Sequence, residues 1–169
     1  MKWSISTSNV FFQCPKKWYY EAVFASSRAT NPQRKEAYLL KHLQNVYAWR
    51  GKLVDQVISR FMVPILNRHE KVSLDELLTY AAILMEEQLS FAKAQLYKNN
   101  NVKANAHNYC ALFELEYDGS LNEECVQQAR QEVRSSLTNL LNSHLIGEIV
   151  EESLYLVAQR TLQFQFANV

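Results

Sequence analysis

A mainly α-helical fold is what this sequence predicts, and three observations carry the prediction. Helix breakers are scarce, with 3 Gly and 3 Pro in 169 residues, which favours long helices over a turn-rich sheet. Apolar residues recur three and four apart along most of the chain, the spacing that gives a helix one buried face. Only the ending changes period. In 158–169, Leu162, Phe164 and Phe166 alternate with Gln163 and Gln165, the pattern of a strand with one buried side.

The elements follow in order. Ser8 is a candidate N-cap for a short helix through Cys14. Pro15 suits the first turn of a second helix, where its missing N–H costs nothing. Trp18, Tyr19, Val23 and Phe24 then share a side. Residues 26–33 read as a loop. Residues 34–47 read as a helix with the stripe Leu39, Leu40, Leu43, Val46 and Tyr47. Residues 48–66 form another, with Leu53, Val54, Val57, Ile58, Phe61 and Ile65 at helical spacing and Pro64 as a kink or an end. The clearest helix covers 72–96. Ser73 and Glu76 make a capping box, and Leu77, Ala81, Leu84, Gln88 and Phe91 form a stripe widened by Leu78, Ile83, Met85 and Leu89. A polar loop follows over 98–108. Residues 109–117 fit helix or strand, with helix favoured, and Asp118-Gly119 makes a turn. The last long helix covers 121–142, with Leu121, Cys125, Ala129, Val133, Leu137 and Leu140 or Leu141 inward. Residues 146–154 are ambiguous.

Composition limits the function classes. The length is that of one domain, 1–169, with a helical region over 1–154 and a strand region over 155–169. A net charge of +1 gives no broad basic field, so any nucleic-acid surface has to be local. No apolar run reaches the roughly 20 residues of a membrane span. Polar Ser, Thr and Asn stand where a signal peptide is apolar. A cytoplasmic protein without membrane partners is the simplest reading. Three scattered cysteines make no disulfide framework.

The opening segment carries the most specific pattern. Ser4, Ser6, Phe12 (or Phe11), Cys14, Pro15, Trp18, Tyr19 and Tyr20 fit SxSxxxxFxxCPxxWYY. A second stretch, AWRGKLVDQVIS (48–59), holds Trp49, Gly51 and Asp55. A third, LVAQRTLQFQFANV, ends the chain. Together they resemble the N-terminal part of the RecB-like branch of the PD-(D/E)XK nuclease superfamily. The resemblance implies the helical front of a restriction-endonuclease-like α/β nuclease, with the C-terminal strand as the first of its core. It implies a part in DNA processing or repair. In many relatives the second stretch places a His where Asp55 stands here. The family holds Mg²⁺ or Mn²⁺ with an Asp and a Glu-x-Lys on adjacent strands, and hard cations take such oxygen ligands. No such pair is found between Met1 and Val169. The expectation is therefore an incomplete domain, without cofactor or catalysis of its own, that works with a nuclease half or a helicase-type partner.

Each candidate residue also has a plainer reading. Lys16, Lys17, Arg50 and Lys52, beside Trp18, Tyr20 and Trp49, suit contact with single-stranded nucleic acid; the plainer view puts the aromatics in the core and the cations in water. Asp55 suits a metal or water contact, or an ion pair with Arg50, Lys52 or Arg60. Cys14 aligns with a cluster-ligating cysteine of some relatives, but a buried structural thiol is simpler, since a cubane cluster needs four cysteines. His42, His69, His107 and His144 lack metal-ligand spacing and read as surface or loop residues. Asp75, Glu76, Glu86 and Glu87 read as a solvated helix face. A wholly different class, a helical protein-interaction module or a single-stranded DNA-binding module, stays open.

Overall fold

The computed structural model describes residues 5–99 and 102–158. Helices dominate, and the described residues contain no sheet. A lone parallel bridge joins Gln44 to Leu112. The strand expected at the C-terminus lies, from residue 159 onward, outside the described residues; Tyr155–Ala158 are irregular. No helix among the described residues is long and apolar enough to cross a membrane. The chain groups into two compact units. The first comprises Met1–Asn45 and Gln88–Ser120, the second Val46–Glu87 and Leu121–Val169.

In the first unit, α1 spans Ile5–Gln13. Ser8 is therefore inside the helix and does not cap it, a position serine tolerates at a small propensity cost. α2, Pro15–Tyr19, begins on its proline as the sequence predicts and runs into a wider π turn over Tyr20–Phe24. α3 spans Pro32–Lys41, and the Asn31 side chain accepts from the amides of Gln33 and Arg34 at 2.9 and 3.3 Å. Those two amides have no partner within the helix, so the cap satisfies them.

α3 ends earlier than expected because Gln44 is committed elsewhere. Its amide donates to the Ala111 carbonyl and its carbonyl accepts from Phe113, both at 3.0 Å. This pairing also answers the ambiguity at 109–117. Tyr109–Leu112 is buried and not helical, with Leu112 extended, and only Phe113–Tyr117 is helical (α7). The Asp118-Gly119 turn stands as expected, with Gly119 at φ +70°, where a side chain would strain the backbone.

The second unit is built on a continuous helical run from residue 46 to residue 66. α4 covers Val46–Val57, a π turn covers Ile58–Met62 and α5 covers Val63–Leu66. Pro64 does not end the run; it stands in the first turn of α5, directly after the π turn. The preceding turn widens, with the Val63 amide reaching back to the Ile58 carbonyl, which accommodates the missing donor and the bulk of the ring. Trp49, Leu53 and Val57 are fully buried. α8, Glu123–Leu141, packs against α4 and buries Val126, Ala129, Val133 and Leu137. Cys125, expected inward, is only half-buried, and Val126 takes its place. α9, His144–Glu152, follows. Asn67 then holds the next segment, donating to the Leu156 carbonyl at 3.0 Å and accepting from its amide at 2.8 Å.

α6, Leu74–Lys93, starts directly after Ser73. Its expected stripe of Leu77, Ala81, Leu84, Gln88 and Phe91 is buried throughout, whereas Ile83 is exposed. The buried amide of Gln88 donates to the His107 carbonyl at 3.1 Å.

Candidate nucleic-acid interface

The opening motif forms one local structure. α1 stops at Gln13, and Cys14 turns extended (φ −156°, ψ 97°). Its Sγ accepts from the Lys17 amide at 3.4 Å, so the thiol caps α2. Cys14 is exposed, not buried as expected, because a cap has to stand at the helix mouth. Trp18, half-buried, receives the Phe11 ring edge-on at 5.3 Å and 85° across the Cys-Pro break. Phe12 is 80% exposed. The motif phenylalanine is thus Phe11, which is also where FxxCP falls when counted back from Cys14. Phe11→Ala is expected to cost about 1–2 kcal/mol in urea unfolding and Phe12→Ala within about 0.5; equal costs would refute the assignment.

The candidate cations are distributed between the units. Lys16 and Lys17 are exposed on α2, and Lys17 Nζ lies 3.8 Å from Glu21. Tyr19 and Tyr20 are also exposed there. Arg50 and Lys52 belong to α4 of the second unit. Arg50 pairs with Glu132 and its guanidinium lies 5.6 Å from the Tyr47 ring centre. Trp49 cannot offer a stacking face, because its exposure is 0%; it is the i+3 partner of Val46 on the buried side of α4. Gly51 and Asp55, one turn apart, are both exposed, with open space around Gly51.

The histidines divide. His69 and His144 are exposed, and His144 Nδ1 is 3.3 Å from Glu148. His107 is half-buried in its loop. His42 is not a plain surface residue. It is half-buried, with Nδ1 2.7 Å from the Tyr38 carbonyl and its ring 4.3 Å from the Tyr38 ring. Asp75, Glu76, Glu86 and Glu87 are exposed as expected, and Glu86 pairs with Arg130.

One cluster escaped the sequence reading. The Tyr97 hydroxyl donates to Glu116 Oε2 at 2.9 Å, and Lys98 Nζ meets the same oxygen at 3.0 Å. Burial, and then the Glu116 carboxylate, push the Tyr97 hydroxyl far above the ordinary tyrosine range. Burial pushes Tyr109 up to about 12. The only signal in the sequence is that Tyr97, Tyr109 and Tyr117 bracket the polar stretch 98–108.

No group of three or more His, Cys, Asp or Glu among the described residues could hold a metal ion. These residues therefore do not fit the Mg²⁺ or Mn²⁺ site of a complete nuclease. No family model matches the chain, and neither a curated protein nor a solved structure does.

Proposed function

We propose that this chain is the helical region of a RecB-like PD-(D/E)XK nuclease that processes DNA, and that it does not cleave by itself. The observation that supports this most is the Phe11–Trp18 contact across the Cys14-Pro15 break. Residues that carry the resemblance are spaced to pack on one another, so their pattern has a physical reason to recur as a unit. In this reading the metal ion and the reacting water belong to residues other than these.

Intact-mass measurement of the protein from its source cells tests the reading. The expected mass is well above 19.7 kDa, with an Asp and a Glu-x-Lys beyond Val169 and Mg²⁺-dependent DNA cleavage that is lost when that Asp is changed. A natural mass of 19.7 kDa, or a longer protein without those motifs, overturns it. The interaction-module reading would then stand. It is favoured by one feature, the exposed apolar side chains Leu145, Ile149, Leu154 and Tyr155 in the second unit, with Leu154 98% exposed among the described residues.

A further inference from the structure

Two adjoining pockets in the first unit share Ser27 and Tyr38 as a common wall. Their chemistry differs. One, of about 440 Å³, is lined by tyrosines, among them Tyr97, Tyr109 and Tyr117, with Lys35 and Lys98. The other, of about 500 Å³, is polar and holds Arg28, Lys103, His42 and Asn105. Each has the size of a small-molecule site, about 300–1,000 Å³.

The charges are unbalanced in a useful way. Across both pockets four cations, Arg28, Lys35, Lys98 and Lys103, face two carboxylates, Glu36 and Glu116. Glu116 is already engaged by Lys98 and the Tyr97 hydroxyl. Arg28, Lys35 and Lys103 form no ion pair among the described residues. The lining is therefore locally basic on a chain whose net charge is only +1. The aromatic side offers a ring face. Tyr117 is 57% exposed and is backed by Phe113, whose ring centre lies 4.4 Å away. A braced, exposed ring keeps its position when a flat ligand stacks on it.

We propose that this pair of pockets binds single-stranded nucleic acid, with a base against Tyr117 in the aromatic pocket and an adjacent phosphate at Arg28 and Lys103 in the polar one. Aromatic faces beside unpaired cations are what strand binding without sequence choice requires. Arg supplies a fork that matches phosphate oxygens, and Lys supplies a point charge. The ligand class rests on the DNA reading above, but the site does not coincide with the opening segment that the sequence singled out.

Fluorescence anisotropy of the full chain with a labelled oligo(dT) of about 12 nucleotides, at about 20 mM salt, tests the site. Tyr117→Ala is expected to weaken binding about tenfold and Tyr117→Phe to preserve it. Arg28→Ala with Lys103→Ala should also weaken it and reduce the slope of log affinity against log salt by about 0.7–1.4, the loss of one or two single-strand phosphate contacts. Lys71→Ala, an exposed lysine outside both pockets, should change neither beyond the uniform charge effect. All these side chains lie on or near the surface, and an unchanged circular dichroism melt confirms folding. No binding by the wild-type chain overturns the proposal. So does binding that ignores the pocket variants and falls instead with Lys16→Ala and Lys17→Ala. Thymidine monophosphate competing as well as the oligonucleotide overturns the strand and assigns the pockets to a free nucleotide. The nuclease reading is decided separately by the intact mass, which no binding result alters.

Discussion

Trp49→Ala is expected to destabilise the protein by about 3–5 kcal/mol, a fall of roughly 10 °C or more in melting temperature. The indole is fully buried on α4, in line with Leu53 and Val57. Truncating it removes its apolar contacts and leaves a void that the helices against it fill only in part. Trp49→Phe keeps most of the ring volume and should lose clearly less. Urea unfolding gives the comparison, with the midpoint moving and the denaturant slope unchanged. The experiment also separates two roles for the same residue. A surface stacking platform would cost little stability when removed and much nucleic-acid affinity. A loss below about 1 kcal/mol with weakened oligonucleotide binding would therefore return Trp49 to the interface, against its burial here.

How the fold could be read from the sequence follows from the range of the forces involved. The buried face of α6 is legible because Leu77, Ala81, Leu84, Gln88 and Phe91 repeat the helical period over many turns. Pro15 and Asn31 mark helix starts by chemistry local to a few residues. Residues 109–112 were not legible. Their non-helical form goes with the pairing to Gln44, more than sixty positions away, and a short apolar run fits helix and strand equally. The same distant pairing ends α3 early. Pro64 does not end the run, because a π turn directly upstream takes up its missing donor, and no local pattern announces a π turn.

The candidate site divides along the same line. The Cys-Pro break and its Trp18 neighbour were legible, because capping and aromatic contact act over seven residues. Periodicity alone does not distinguish Phe11 from Phe12; the FxxCP spacing and the packing against Trp18 both select Phe11. Of the two readings open for Trp49, beside Arg50 in sequence, the structure supports the core one. On a helix, neighbours in sequence point about 100° apart, so a half-exposed arginine can follow a buried tryptophan. The basic, tyrosine-lined pockets draw on residues 27–42 and 97–117. Residues 27–42 are basic, with Arg28, Arg34, Lys35 and Lys41 against Glu36, but 97–117 are balanced, and the site exists only once the fold joins the two stretches.

Alkaline pH is expected to unfold the protein through Tyr97 and Tyr109. An unfolded tyrosine ionises near about 10. Burial raises Tyr109 to about 12, and Tyr97 is raised further by burial and by the Glu116 carboxylate. Both folded-state values lie above the unfolded ones, so the folded chain holds protons that the unfolded chain has already released. Stability is therefore fully present below about pH 10 and falls as pH climbs from there toward the folded values. Urea unfolding at pH 8, 10 and 11 should show the fall. Lysines also lose charge in this range and weaken pairs such as Lys98–Glu116, so a variant is needed to isolate the tyrosines. Tyr109→Phe keeps the ring and removes the ionisable group; it should flatten the alkaline slope while changing stability at pH 8 by about 1 kcal/mol. Tyrosinate absorbance provides an independent reading. Of the 9 tyrosines in the chain, the buried pair should resist ionisation until the protein unfolds. A single smooth titration of all of them near about pH 10, with the fold intact by circular dichroism, would remove the buried tyrosine cluster and with it the aromatic wall of the proposed strand site.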